Sequence, residues 1–566
     1  MTKKRIKALT SKFKKYKIDG YVIPKNDEFF SEYSQKDRLK TISNFTGSAG
    51  YSIILKNKNY LFVDGRYTIQ AEKESGNFFK IVDYHKIVNC NLFKNLTLGI
   101  DPKVFTSEQI KNFFIKYNDI KIIKSNLIDQ IYQNKSNSIK PFFSLKDNVV
   151  GESFKKKIIK IKKYLVKNKS DFIFISAPEN VAWLLNIRGS DSPNSPIPNC
   201  HLLLDKKKNL YLITKKKKAL KLANENKINF RQIIEPQNFE KIVKNLNGNR
   251  IIIDNKTCSI FYENILENKF KILKKEDPIY LLKSVKNNLE IKNMIDTHII
   301  DGVALTKFLY WIKMKNKKKI TEYEAQKKLE FFRKKNKKYL YPSFNTIAGT
   351  GANGAIVHYR ATKDNSKNIK KTDIFLCDSG GQYEYGTTDV TRTICFSKPK
   401  ERIKNIFTRV LKGHIAVFQS DLIKYKTGKD IDIRARKFLK QINLDYSHGT
   451  GHGVGFFLNV HEGPQSISKF NKIRIQEGMI LSNEPGYYKK NDFGIRIENL
   501  IYVKKIQKKL FFENLTLSPI DKDLIDHEQL TKDEKDYLFK YNLEVYSKLH
   551  KYLSITEKNW LASFIY

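Results

Sequence analysis

Short apolar runs of strand length alternate with stretches of helical period over the first part of the chain. Tyr21–Pro24, Tyr51–Leu55, Tyr60–Asp64 and Leu96–Asp101 read as strands, and Thr68–Ser75 and Ser107–Tyr117 as helices. Turn residues separate them, which predicts an α/β layer domain. A second unit begins near Lys140–Pro141 and repeats the theme. Glu152–Lys167 is a basic helix, Asp171–Ser176 a strand, Val181–Leu185 a short helix, and His201–Leu204 and Leu210–Thr214 strands. The intervening NIRGSDSPNSPIPN, rich in Pro, Ser and Asn, is expected to be a structured loop. Arg250–Asp254 occupies a place like that of Gly99–Asp101, which hints at a duplicated domain.

A third region starts near Pro278 with a long helical pattern, Asn288–Met314. Strand-like runs then dominate from Phe344 to Tyr502, and Pro519–Tyr566 forms an amphipathic helical tail carrying Trp560. The expected fold is a multidomain α/β and α+β chain, divided at residues 1–135, 136–283, 284–510 and 511–566.

Composition narrows the function classes. An apolar fraction of 40% suits a folded chain, and no apolar run approaches the ~18 residues of a membrane span. The basic N-terminus lacks the apolar stretch of a secretory signal. Five cysteines (Cys90, Cys200, Cys258, Cys377, Cys395), none in a CxxC pair, fit a reducing compartment, and a cytoplasmic location is expected. The net charge of +48 raises the possibility of a polyanion partner. Lysine is nevertheless spread over the whole chain alongside heavy use of Asn and Ile. Runs such as Lys215–Lys218 and Lys317–Lys319 contain no interleaved aromatics. No dedicated nucleic-acid partner and no membrane are therefore expected.

The candidate chemistry lies in the third region. In IFLCDSGGQYEYGTTDVTRTICF two strand-like runs flank glycine bends, so a hairpin would bring Asp378 and Asp389 side by side. Two unpaired carboxylates in an apolar sheet are costly, and divalent cations would remove that cost. This segment alone leaves two readings open, the second being a turn-capping Asp378 and a solvated Asp389. HGTGHGVG sets His448 and His452 among glycines that disfavour a helix and admit close backbone approach. His461 and His358 bring the local count to four of the chain's ten histidines. Glu484 ends an apolar run in LSNEPGYY. In FGIRIENL the two-residue spacing puts Arg496 and Glu498 on one strand face, which by itself suits an ordinary surface ion pair. Taken together, four carboxylates and one imidazole favour manganese, cobalt, iron or magnesium over a thiolate-type zinc site, at a two-metal hydrolytic centre.

In order, GANGAIVHY, DSGGQY–GTTDVTRT, HGTGHGVG–LNVHEGP, EPGYY and GIRIENL resemble the pita-bread metallopeptidases, most closely the long three-domain Xaa-Pro aminopeptidases. FTGSAG, DGRYTIQA, WLLNIRGSDSPNSPIP, YLLKSVKNNLEI and TLSPID extend the resemblance over nearly the whole chain. It implies two creatinase-type N-terminal domains, a pita-bread catalytic domain and a homodimer. It also implies two manganese ions on Asp378, Asp389, His452, Glu484 and Glu498, with cobalt, iron or zinc as other options. Asp389 and Glu498 would bridge the ions, and Glu484 would act as general base on a bridging water. His358 and His461 would contact the scissile peptide, His448 the proline side, and Arg66 the substrate from the first domain. Arg496 would orient Glu498. The implied reaction is release of the first residue of a peptide whose second residue is proline. GANGA, where a proline often follows the first glycine, and Phe456–Phe457 depart from the pattern without touching a ligand. A prolidase confined to Xaa-Pro dipeptides shares this cluster and is the main alternative. A creatinase-like hydrolase and a metal-free binding protein both conflict with the complete ligand set.

Overall fold

The computed structural model describes residues 2–87, 93–114, 118–132, 140–315 and 319–565. Cys90, the end of the helix expected to reach Tyr117, most of the Lys317–Lys319 run and the 135/136 boundary lie outside them. The chain divides into two compact units, residues 1–280 and 281–566.

The first unit contains one topology twice. β1 (Gly20–Pro24), β2 (Tyr51–Leu55), β3 (Asn59–Val63), β4 (Lys80–Asp83), β5 (Thr97–Ile100) and β6 (Asp119–Ile122) form a sheet ordered β4-β3-β2-β1-β5-β6. A short antiparallel pair joins β7 (Phe143–Ser144) to β9 (Ile187–Arg188). The second large sheet takes β8 (Phe172–Ile175), β10 (His201–Asp205), β11 (Leu210–Ile213), β12 (Ile233–Ile234), β13 (Arg250–Ile253) and β14 (Lys271–Lys274). Its order is β12-β11-β10-β8-β13-β14. In both sheets the first strand pairs antiparallel with the second, and the second with the third, while the remaining pairings are parallel. The hinted duplication is thus a repeat of topology.

Period-two alternation explains why the central strands are apolar throughout. Tyr21, Ile23 and Ile54 enter one core, and Val22 and Ile53 enter the core on the opposite face. The edge strands KIVD, DIKI and KILK went unrecognised in the sequence because they are short and charged, as edges that resist further pairing tend to be. The short helix begins at Pro178 rather than Val181, because proline suits the first helical turn, where its missing N–H is no loss.

The second unit also repeats itself, as two helices followed by a sheet. Helices Asn288–Tyr310 and Glu322–Lys334 precede β15 (Tyr339–Pro342), β16 (Ile347–Thr350), β17 (Phe375–Ser379), β18 (Gly381–Tyr383), β19 (Gly386–Thr387) and β20 (Val390–Ile394). Helices Glu401–Phe418 and Gly428–Lys440 precede β21 (Gly451–Gly453), β22 (Glu462–Ile467), β23 (Ile480–Asn483), β24 (Gly486–Lys489), β25 (Phe493–Arg496), β26 (Asn499–Ile506) and β27 (Lys509–Asn514). These last two helices interrupt the strand-dominated stretch expected from Phe344 to Tyr502. They pack so closely that a Cβ on Gly413 would lie 2.3 Å from the Ala435 carbonyl oxygen. The two main sheets of this unit are β16-β17-β20 and β22-β21-β23-β26-β27. The tail follows as capped helices Lys532–Leu549 and Ile555–Ala562, with Trp560 against Tyr310.

Candidate metal centre

The seam between these two sheets gathers the chemistry-bearing residues. Asp378 lies on β17 opposite Thr391 of β20, and Asp389 immediately precedes β20. The β18–β19 hairpin is the insertion between them, and it fits against the helix Asn288–Tyr310 because a Cβ on Gly386 would strike Thr297 Oγ1 at 2.1 Å. His452 is the middle residue of β21, where a Cβ on Gly451 would lie 1.9 Å from the Ser482 carbonyl oxygen. That approach accounts for a glycine before His452. Glu484 follows β23 and donates its backbone N–H to Thr450 O at 2.8 Å. Glu498 occupies the crossing from β25 to β26, its N–H bonded to Thr391 O at 3.2 Å, so it joins the two sheets.

The side chains converge in three overlapping groups: Asp378, Asp389 and Glu498; His452, Glu484 and Glu498; and Asp389, His452 and His461. Within each group the potential ligand atoms lie within 4.8 Å of one another. His452 Nε2 is 3.4 Å from Asp389 Oδ2 and 3.6 Å from Glu484 Oε1. Its Nδ1 donates to Gly453 O at 2.9 Å, which leaves Nε2 facing the carboxylates. Ser482 Oγ accepts from His452 N and donates to Glu484 Oε1, at 2.9 and 3.0 Å.

Burial pushes Asp378 up to about 7, and it also raises Glu484 and Glu498 above the usual carboxylate range. Burial opposes a charged His452, yet Asp389 and Glu484 outweigh it and raise the imidazole to about 9. Asp378 Oδ1 and Asp389 Oδ1 are buried and accept no hydrogen bond. Unsatisfied carboxylate oxygens crowded beside one another are costly, and hard divalent cations with oxygen-rich ligation would relieve them. The donor set therefore fits a pair of such ions.

Arg496 and Glu498 are both 1% exposed, so the surface ion pair considered for that motif does not form. Arg496 Nη2 donates to Asp378 Oδ2 at 2.5 Å, and Nε to Thr391 Oγ1 at 3.0 Å. Thr391 Oγ1 in turn donates to Glu498 Oε2 at 2.8 Å. Arg496 thus acts directly on Asp378 and reaches Glu498 through Thr391. Its Nη1 donates to Tyr488 OH at 2.6 Å, and Tyr488 OH lies 2.9 Å from His448 Nε2. His448 Nδ1 donates to Gly449 O, so Nε2 of the neutral ring accepts from Tyr488.

Sequence reasoning assigned no role to Tyr488, Thr391 or Ser482, although all three sit in or beside the quoted motifs. It also missed Arg392, which donates to Glu498 O, Asn499 Oδ1, Ser518 O, Pro519 O and Tyr541 OH.

The His461 ring meets that of His452 edge-on at 4.4 Å. His358 follows the turn Gly351–Ala355, which lies against β25: a Cβ on Gly494 would come within 1.8 Å of Gly354 O. In the first unit Arg66 forks onto Asp64, with Nε–Oδ1 2.9 Å and Nη2–Oδ2 2.8 Å, and lies over Tyr67.

Comparison with known proteins agrees with this architecture. Residues 292–505 match the metallopeptidase family M24 and 508–563 the C-terminal region of that peptidase. Residues 5–127 and 133–290 each match a creatinase/prolidase N-terminal domain. The chain is 35% identical to a probable Xaa-Pro aminopeptidase P of Coprinopsis cinerea, over 99% of this chain and 97% of that protein. It is also 35% identical to Xaa-Pro aminopeptidase 1 of Dictyostelium discoideum, over 99% and 96%. Among solved structures, the X-prolyl aminopeptidase of Caenorhabditis elegans, described as a cytosolic enzyme with a di-nuclear active site, is similar over all of both chains (TM-score 0.92, 27% identity). Prolidase from Pyrococcus furiosus covers 63% of this chain and 98% of its own (TM-score 0.51, 26% identity). The chain belongs to metallopeptidase family M24, within its Xaa-Pro aminopeptidase group.

Proposed function

We propose that this protein is a two-metal aminopeptidase that releases the N-terminal residue from peptides with proline in second place. The observation that carries the proposal is the pair of buried, hydrogen-bond-free oxygens on Asp378 and Asp389, converging with Glu498, Glu484 and His452. These five side chains would hold the ions. Manganese suits four carboxylates and one imidazole, and cobalt, iron or zinc are chemically compatible. When bound, the ions supply Lewis-acid activation of water and of the scissile carbonyl.

The chain's own groups do the rest. Glu484 takes the proton of the attacking water and passes it toward the departing proline nitrogen. His461 and His358 donate hydrogen bonds to the oxygen that gains charge at the scissile carbon. His448, its tautomer fixed by Gly449 O and Tyr488, faces the proline side. Arg496 holds Asp378 in place, and Arg66 stands as a substrate-binding residue on the sequence resemblance alone. Full-length similarity to aminopeptidases, against partial coverage by prolidase, supports a longer peptide over a dipeptide. A homodimer belongs to this reading as what the sequence resemblance implies, and the cytosolic description of the nematode enzyme supports a cytoplasmic location. The four-part division at residues 135, 283 and 510 belongs to this reading, although β27 spans the last boundary.

The test is manganese-dependent release of the first residue from an Xaa-Pro-Xaa peptide. Asp378→Ala is expected to lower kcat by roughly 1000-fold and to abolish stoichiometric metal uptake. Equal turnover by both proteins would refute the site.

A further inference from the structure

Behind the two facing imidazoles lies a buried charge cluster with no part in the mechanism above. Glu462 opens β22 immediately after His461, and across the ladder it pairs with Gly453, the residue after His452. Its Oε1 takes Lys286 Nζ at 2.5 Å and its Oε2 takes Lys283 Nζ at 3.2 Å, with all three side chains no more than 2% exposed. Lys286 also donates to Ser284 O, and Lys283 to Gly463 O. The segment carrying the lysines is fixed by Lys286 N to Gly478 O at 2.9 Å and by the Val285–Met479 bridge.

The glycines of HGVG make room for this arrangement. A Cβ on Gly453 would lie 2.5 Å from Glu462 O, and one on Gly455 would lie 3.0 Å from Glu462 Oε2. Three buried charges are an expensive way to pin a segment, since apolar residues of similar volume commonly stabilise as well or better. What the charges add is direction. A carboxylate bonded through both oxygens cannot swing, so the backbone from His461 to Gly463 is held on one side by the ladder and on the other by the lysines. This backbone carries the His461 ring, which meets the ring of His452 on β21 at 4.4 Å.

We propose that Glu462, clamped by Lys283 and Lys286, is a positioning residue that sets the His461 ring against His452 for peptide-bond cleavage. The proposal rests on the aminopeptidase reading. It makes the KSVK segment ahead of helix Asn288–Tyr310 a determinant of turnover.

The experiment uses the full-length, manganese-loaded chain and an Xaa-Pro-Xaa peptide. Glu462→Gln keeps the shape but turns an amide toward one lysine, and kcat is expected to fall about 10- to 100-fold with KM nearly unchanged. Glu462→Asp, which retains the charge, should fall between parent and amide. Lys283→Met leaves a one-to-one pair and serves if the amide variant does not fold, with an expected loss in kcat of about 3- to 10-fold. Lower melting temperatures with kcat per metal-loaded enzyme equal to the parent's would overturn the proposal. A parent that cleaves no peptide sinks the activity reading instead. The clamp is then judged on cobalt-loaded protein: altered d–d absorption in Lys283→Met supports it, and identical spectra overturn it.

Discussion

Two buried charged clusters in the second unit meet opposite fates. Asp301 sits in the helix Asn288–Tyr310 and is fully served: Arg333 donates from Nε at 2.7 Å and Nη2 at 3.2 Å, and Tyr383 OH donates at 2.6 Å. Although burial pushes its carboxyl up, Arg333 and Tyr383 hold it below the usual carboxylate range. The Asp378–Asp389–Glu498 cluster is as deeply buried, yet it has one arginine for three carboxylates and two oxygens with no donor. A buried charge whose partners come from the chain is architecture. One whose oxygens find no donor in the chain has the chemistry of a cation site.

The contrast can be broken at either end. Arg333→Met should cost roughly 3–5 kcal/mol of unfolding free energy, because it strands Asp301 without its cation. Chemical denaturation measures this, and a loss below about 1 kcal/mol would mean that Asp301 is not a structural charge. In the opposite sense, Glu498→Gln should stabilise the metal-free protein at pH 8 by about 1 kcal/mol or more while weakening metal binding. If that substitution destabilised the metal-free chain, the cluster would be an internal support like Asp301.

A pH trend follows from the same cluster. With folded-state values raised, Asp378, Glu484 and Glu498 keep protons that the unfolded chain releases. Metal-free stability therefore declines as pH rises from about 4 to about 7. His452, also raised, adds stability at low pH that is lost as pH climbs from about 6.5 to about 9. Thermal melts in chelator should show the decline, and melts with saturating manganese should lack its carboxylate part. Coincident profiles would show that these groups do not bind the ion.

Legibility in the sequence followed the range of each interaction. The five candidate ligands were ambiguous motif by motif, Glu498 reading first as half of a surface ion pair, and became legible only as a set and through the family resemblance. The central strands of the first unit were legible from local apolar runs, whereas its short, charged edge strands were not. The partner of Arg496 was not: Glu498, two residues away, was the visible candidate, while Asp378 lies on another strand 118 residues distant. The role of Thr391 between them was hidden for the same reason. Helix Glu401–Phe418 carries Ile403, Ile406, Phe407, Val410 and Leu411 at helical spacing, but the strand-rich motifs on either side masked it. Glu462 was given no role, because both of its lysines sit some 180 residues upstream.

Arg392 has one more consequence, and it concerns time. Its guanidinium grips the Glu498 carbonyl and, with the same group, Ser518, Pro519 and Tyr541 in the tail. Because translation runs from the N-terminus, the tail groups that hold this guanidinium are the last to be made, and a product truncated before Ser518 lacks them.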